Sequence, residues 1–588
     1  MRIGLLTEGG YPYVSGDARL WCDRLVRGLG QHEFDIYALS RSARQEAQGW
    51  IELPPQVNRV RTAPLWTADD DGVAFGAGYG RRARRRFAEC FGELAAVVCD
   101  SGAASAAGAA RESGDADALA DRFGSALYGL AELARDQGGL VAALRSEAAV
   151  RALEGACRAP GALRAARTAR VSDLLVVAGL LERALRPLSL DWYGDDGLGA
   201  VDLCHATSGG PAAIPGLLAQ HFSGVPLLVT EYGVQLRAHY LATGDEALSA
   251  PARALLTSFH GRLAAEVYGK ATIITPGNTH ARRWQERCGA ERAKLRTVYP
   301  GMEASRFAEV GEREDPGDPD TLLWVGRIEP AKDLISLLHA FAEIRKEEPK
   351  ARLRIVGAPA EGAEATAYLA HCRALAAQLF PDEAEGVHAV GDNPVSFEEI
   401  GTPDVPDLAD AYAAGSVVVL SSVVEGFPIS LVEAMFCGRA TVSTDVGAVV
   451  EVIGGTGLVV PPRNPRALAE ACVALLRDAG RRDRLGAAAR ARALELFTVE
   501  QNTEAFRAIY LEIVSHCPVR REALDDAGEP VPFGNPAEAR MPGRWAVAAV
   551  AAGGAGGAGG ADAGAGSGGA PRWAQEADGP ERLKGAGV

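Results

Sequence analysis

With 588 residues the chain is too long for a single hydrophobic core. Its 47% apolar and 23% charged residues read as a soluble protein, without the roughly 18 to 20 consecutive apolar residues of a membrane-spanning helix. A net charge of −15 argues against general nucleic-acid binding, which needs a basic surface, so any bound phosphate must be held locally.

The opening MRIGLLTEGG has no basic start, apolar core and small-residue cleavage site of a secretory leader, and a cytoplasmic location is expected. An apolar strand (2–6), a Gly-rich loop (8–17), an amphipathic helix (19–29) and a second strand (34–39) follow one another, the start of a βαβ unit. In that loop Gly16 allows close approach of backbone to a phosphate, with simple turn geometry as the alternative.

From about 69 to 185 the pattern is Ala, Arg and Leu at helical spacing, which predicts a helical insertion. Its basic run RRARRR (81–86) reads as a solvated helix face, contact with an anionic acceptor or partner being the alternative. Strand signals resume in VDLCHATSGG (201–210), followed by a helix (211–220) and VPLLVTEYG (225–233). His205 ends the first of these strands and is expected to face a cleft, a satisfied buried imidazole being the competing reading. Ser208, Gly209 and Gly210 open a helix suited to an anion.

A second alternating series contains TLLWVGRIEPAKD (321–333), ARLRIVG (351–357), GVHAVG (386–391), VVVLSSVVEGFP (417–428) and ATVSTDVG (440–447). The expected fold is therefore α/β, with two Rossmann-like domains facing across a cleft, at 1–300 and 301–517. Residues 518–588 end in a Gly/Ala-rich tract that buries too little apolar surface to order, and are expected to be a disordered tail. The ten cysteines lack paired spacing, so neither a zinc site nor a disulfide frame is indicated.

Two elements of the second unit carry chemistry. GRIEPAKD puts Arg327 and Lys332 between a buried strand and a helix starting near Asp333, where two cations beside helix amides suit a diphosphate. EGFPISLVE puts Glu425 in a strand-end loop and Glu433 in the opening turn of the next helix. The competing readings are an exposed basic pair for the first, a solvated loop acid for Glu425, and a capping box of Ser430 with Glu433.

In this order, and roughly 100 residues apart, the two elements resemble glycosyltransferase family 4, a family of GT-B fold. LLTEGGYPYVSGDARLWCDRLVRGL and VTEYG are similar to PelF-type members, which act in exopolysaccharide synthesis, although Asp17 stands where a second Gly is usual and Tyr232 where a His is usual. The resemblance implies a retaining hexosyltransferase that moves a sugar from a nucleotide diphosphosugar, UDP-glucose or a relative, to a hydroxyl. It implies that Arg327 and Lys332 hold the pyrophosphate, Glu433 the ribose, and Glu425 the sugar near its reacting carbon. Gly426, Phe427 and Pro428 would line the sugar pocket. His205, Glu231 and Tyr232 are the expected acceptor-side residues.

No metal or other cofactor is expected, since side-chain cations take the metal's part. The expected partners are the nucleotide sugar and a glycan, lipid-linked or small polyol acceptor, with association with a membrane export complex. A nucleotide-sugar epimerase or phosphorylase of the same fold, and a degenerate binding or scaffold protein, are the rival readings.

Overall fold

A computed structural model describes residues 1–14, 19–66, 79–101, 113–241, 248–313, 317–360, 362–381, 393–403 and 405–519. Gly16, Asp17, the expected strand at 386–391 and the expected tail from 520 onward lie outside the described residues.

Twelve described strands build two six-stranded sheets. The first comprises Arg2–Glu8 (β1), Glu33–Ser40 (β2), Val57–Pro64 (β3), Leu203–Ala206 (β4), Leu227–Glu231 (β5) and Ile273–Pro276 (β6), in the order β3-β2-β1-β4-β5-β6. The second comprises Asp318–Val325 (β7), Arg352–Val356 (β8), Val395–Glu398 (β9), Gly415–Leu420 (β10), Ala440–Thr444 (β11) and Leu458–Val460 (β12), in the order β12-β11-β10-β7-β8-β9. All the pairings are parallel. A parallel sheet is covered by helices on both faces, which is why strands such as GSVVVL of β10 are buried along their whole length.

The two sheets follow one doubly wound plan, as the expected two-Rossmann α/β fold requires. In each, the order reverses between the first and fourth strand, β1 and β4 or β7 and β10. Helices leave such a pair in opposite directions and open a crevice at the carboxyl ends of the strands. The described helices between β3 and β4 are Arg81–Cys99, Ser113–Gln137, Leu140–Leu144, Glu147–Arg158 and Val171–Leu185. On the first of them, Arg85 pairs with Glu89 and Arg86 with Glu132 and Asp136, so those two members of the basic run are neutralised by neighbouring acids.

Both sheets belong to one compact unit, Met1–Arg521. The chain passes between its halves twice, and the two passages lie side by side. Met302 N donates to Phe497 O at 2.8 Å, and Val499 N donates to Met302 O at 3.1 Å. Beyond the second passage the helix Val499–His516, capped by Thr498 on Gln501 N, lies on the helix Arg19–Gly28. Its Phe506, Tyr510 and Ile513 share a core with Ile3, Leu5, Leu25 and Phe34. Sequence reading grouped this helix with the second unit; its packing joins it to the first.

Gly301 sits where the passages touch, and a Cβ there would stand 2.8 Å from Asn502 Cβ and 2.9 Å from Val499 Cα. Backbone lies on one side, so the clash has no flexible side chain to absorb it. Gly301→Ala is expected to lower unfolding free energy by about 1 to 3 kcal/mol, the usual cost of overpacking, measured by urea titration. An unchanged midpoint would show that the passages are free to separate.

Candidate functional site

The crevice of the second sheet is assembled from three strand-end loops. After β7, Gly326 N donates to Val356 O and Ile328 N to Ala358 O, which lays the chain along the loop after β8. A short 3-10 turn, Pro330–Lys332, then runs into Asp333, which adopts φ 47°. Asp is one of the few side chains that accept this left-handed geometry, and its carboxylate caps Ser336 N at 3.2 Å to start the helix Leu334–Glu347. The turn directs Lys332 inward, where its Nζ lies 2.7 Å from Glu425 Oε2. These two side chains are 17% and 11% exposed. Arg327 is exposed and makes no hydrogen bond or ion pair with the described residues.

The loop after β10 is bound to the first loop through backbone. Val423 N donates to Ala331 O at 2.9 Å, and Ser421 Oγ to Lys332 O at 2.7 Å. Ser422 Oγ donates to Glu425 Oε2 at 3.0 Å, so one carboxylate oxygen takes both a lysine and a serine. From β11, Thr444 Oγ1 donates to Ser422 O and Ala448 N to Gly426 O. Gly447 has φ 55°, and a Cβ on it would fall 2.3 Å from Glu425 O, so only glycine lets the β11 loop close on Glu425.

Glu433 lies on the helix Ile429–Phe436, and its Oε2 accepts from Tyr412 Oη at 2.8 Å. Burial raises its pKa, while the Tyr412 hydroxyl and Arg306 act in the opposite direction. The capping box with Ser430 is not formed. The helix starts at Ile429, one residue before Ser430, and its cap position is Pro428, with no side-chain cap bond. Phe427 leans on Phe497 and Tyr299, Pro428 is buried and Gly426 is exposed. The structure thus brings Lys332, Glu425, Gly426, Phe427 and Pro428 to one edge, with Arg327 on the neighbouring strand end and Glu433 a helix turn behind. A free cation, a cation held by a carboxylate, and the amides of a helix start are a local setting for a diphosphate inside an acidic protein. A cavity of about 850 Å³ lined by His339, Arg345, Lys346 and Pro465 touches none of these residues.

In the first half, four expectations are corrected or narrowed. His205 does not face the cleft. It is fully buried, with Nδ1 hydrogen-bonded to Tyr510 Oη at 2.7 Å and Nε2 to Thr230 Oγ1 at 2.6 Å, and burial pushes its pKa down to about 3. Glu231 is 1% exposed, and its carboxylate accepts from Tyr268 Oη, Gln285 Nε2 and the amides of Gln235 and Gly209. With four donors it fixes the loops around it and has little left for a ligand. The Tyr232 ring stands edge-on to Trp21, and its hydroxyl accepts from Asn502 Nδ2 at 3.0 Å. That contact braces the last helix. The helix expected from Pro211 begins at Ile214, after a 3-10 turn whose Pro211 has no amide to offer an anion.

Tyr412, Thr444, Gly447 and Glu451 escaped sequence reading. Glu451 accepts from Thr279 N at 2.7 Å and from Tyr299 Oη at 2.9 Å, joining the second half to the loop after β6. No local pattern marks any of them, because each acts on a partner distant in sequence.

Residues 319–478 match the family model described as glycosyl transferases group 1, and residues 1–293 match a domain of unknown function, DUF3492. The D-inositol 3-phosphate glycosyltransferase of Kineococcus radiotolerans is 33% identical over 286 residues, 44% of this chain and 63% of that protein. The enzyme of the same name from Streptomyces bingchenggensis is 32% identical over 42% of this chain and 56% of its own length. The chain therefore spans less than two thirds of these relatives. Among solved structures, the Anabaena protein HepE in complex with UDP superposes with TM-score 0.50 at 14% identity, covering 87% of this chain and all of the other. The sucrose-phosphate synthase of Thermosynechococcus elongatus gives TM-score 0.50 at 17% identity, covering 88% of this chain and 99% of the other. The fold is GT-B, and residues 319–478 of its second half match the group 1 glycosyl transferase model.

His205 predicts an acid limb of stability. Its folded pKa of about 3 lies below the ordinary histidine value of 6.5, so the unfolded chain takes up the proton first. The contribution is complete above pH 6.5 and falls by up to about 1.4 kcal/mol per pH unit as the pH drops toward 3. His32, lowered to about 4, acts in the same direction. Urea midpoints between pH 7 and 5 should therefore fall less in His205→Gln than in the wild type; equal slopes would mean that the buried imidazole is not what senses acid.

Proposed function

We propose that this chain is a retaining glycosyltransferase that moves a hexose from a nucleotide diphosphosugar, UDP-glucose or a close relative, to a hydroxyl acceptor. The observation that carries this reading is the Lys332–Glu425 pair at the β7/β10 switch point, with Arg327 in the loop after β7 and Glu433 on the helix after the β10 loop, in a stretch that matches the group 1 glycosyl transferase model. In this proposal the diphosphate lies over the loop after β7, with Arg327 free to close on it and Lys332 already oriented by Glu425. Glu433, held by Tyr412, bonds the ribose hydroxyls. Gly426, Phe427 and Pro428 surround the sugar.

Departure of the diphosphate builds negative charge on the phosphate oxygens, and two cations, Lys332 preset and Arg327 recruited from solvent, lower the cost of that charge. Glu425 lies beside the anomeric carbon, and the acceptor hydroxyl attacks from the face the diphosphate leaves, passing its proton to an oxygen of that departing diphosphate, which retains configuration. The acceptor, a glycan, a lipid-linked sugar or a small polyol, approaches from the first half. A PelF-type role in cytoplasmic exopolysaccharide synthesis, beside a membrane export complex, extends the same proposal. Among the described residues no helix is long and apolar enough to cross a membrane, so the proposed export association would rest on surface contacts.

Arg327→Ala and Lys332→Ala are each expected to lower turnover by about 10² to 10³-fold, the scale for one preorganised charge-stabilising group. Arg327 gives the cleaner test, because it is exposed and unpaired, whereas removing Lys332 also leaves Glu425 without its partner. Turnover should fall more than donor affinity, and activity should survive EDTA. Loss of activity in EDTA with recovery on adding magnesium or manganese would sink the metal-free reading. Near-normal turnover in both variants would remove these residues from the chemistry.

A further inference from the structure

A second cationic cluster lies in the first half. The helix Thr279–Arg287 leaves the carboxyl end of β6, and the helix Gln235–Leu241 follows the carboxyl end of β5. They share a small apolar contact of Val234, Leu236 and Ala281, with Trp284 packed against it. On the first helix His280, Arg283, Trp284 and Arg287 recur at three- and four-residue spacing and so lie on one face; Arg237 and Tyr240, three apart, do the same on the other. The faces are brought together. Tyr240 and Trp284 have ring centroids 6.3 Å apart, the Arg287 guanidinium lies 6.0 Å from the Trp284 ring, and Tyr240 is 51% exposed.

The charges are arranged to leave this face positive. Glu286, on the other side of the helix, takes Arg282 and Arg292. Arg237, Arg283 and Arg287 have no ion-pair or hydrogen-bond partner among the described residues, and Arg283 and Arg287 are exposed. His280 Nε2 is buried without a hydrogen-bond partner, and its pKa is lowered by burial and then by those same three arginines. In a protein of net charge −15, three guanidiniums without ion-pair partners beside a half-buried imidazole whose enclosed Nε2 has no partner make a local positive patch suited to an anion. The neighbouring Thr279 amide holds Glu451 of the second half, so the cluster borders the line where the halves meet.

We propose that Arg237, Arg283 and Arg287, with His280 and the Tyr240–Trp284 pair, bind an acceptor that carries an anionic group on a sugar or polyol ring. The aromatic pair offers the ring a flat apolar face, and the guanidiniums take its phosphate or carboxylate. This rests on the transferase reading, because it names the acceptor class for that site.

The test is calorimetric titration of UDP-loaded protein at low ionic strength with glucose 6-phosphate, glucuronate and neutral glucose. At least one anionic sugar should bind about tenfold or more tightly than glucose, the scale of one charge-assisted contact. Arg283→Gln/Arg287→Gln should abolish that preference without changing UDP affinity. Preference for glucose 6-phosphate alone assigns a phosphorylated acceptor, and binding of glucuronate assigns an acidic sugar chain. Equal binding of the three, no binding by any of them, or a preference that survives the double substitution overturns the inference. Failure of UDP itself to bind overturns the transferase reading instead.

Discussion

A lysine ammonium 2.7 Å from a glutamate carboxylate, both largely shielded from water, joins the loop after β7 to the loop after β10. Such a pair adds little net stability, because desolvating two charges offsets most of their attraction. What it supplies is direction. Lys332 cannot swing into solvent while Glu425 holds it, and Glu425 is held in turn by Ser422. The bonds from Val423 N to Ala331 O and from Ser421 Oγ to Lys332 O set the same distance, so the pair inherits its geometry from two strand ends. These strands are neighbours only because the sheet order reverses there, which makes the doubly wound topology the root of the site.

The contrast between Lys332 and Arg327 follows from the same frame. Arg327 stands at the strand end before the chain turns, exposed and unpaired, whereas Lys332 stands after the turn and points inward. One cation is therefore preset and the other adjustable. An anion entering the crevice would meet the fixed charge of Lys332 shared with Glu425 and recruit Arg327 from solvent. A site with both cations preset would carry more uncompensated charge in the empty protein, and a site with neither would pay the ordering entropy of both on binding.

Positions legible in the sequence were those that closely follow a strand end. Arg327, Lys332 and Glu425 follow apolar strands directly, and alternation of strand and helix was enough to place them. Where a distant partner decides the role, local pattern misleads. His205 ends a strand as a cleft residue would, yet Tyr510, some three hundred positions on, folds back over it and closes it from water. Glu433 illustrates competition between two satisfiable patterns: Ser-x-x-Glu fits a capping box, but the helix starts two residues early, and the carboxylate finds a tyrosine hydroxyl in place of backbone amides. Strand order and the return of the last helix to the first half are long-range facts without a local signature.

That return shapes how the halves can move. Two backbone passages lie side by side at Met302 and Thr498, a narrow junction with no sheet or helix running through it. The last helix is fastened to the first half by Tyr510 on His205, Asn502 on Tyr232, and Phe506 beside Trp21. Bending is thus confined to the residues just before the helix, because the helix itself cannot lift without exposing a buried imidazole and an apolar core. A second contact between the halves is Glu451 on Thr279 N, and Tyr299 Oη donates to the same carboxylate. Thr279 and Glu451 belong to different halves, so a rotation of one half against the other would have to break that hydrogen bond. The carboxylate of Glu451 thus ties the second half to the helix after β6, and the closely packed Gly301 sits where the two passages touch, so both contacts hold the halves in their present relation.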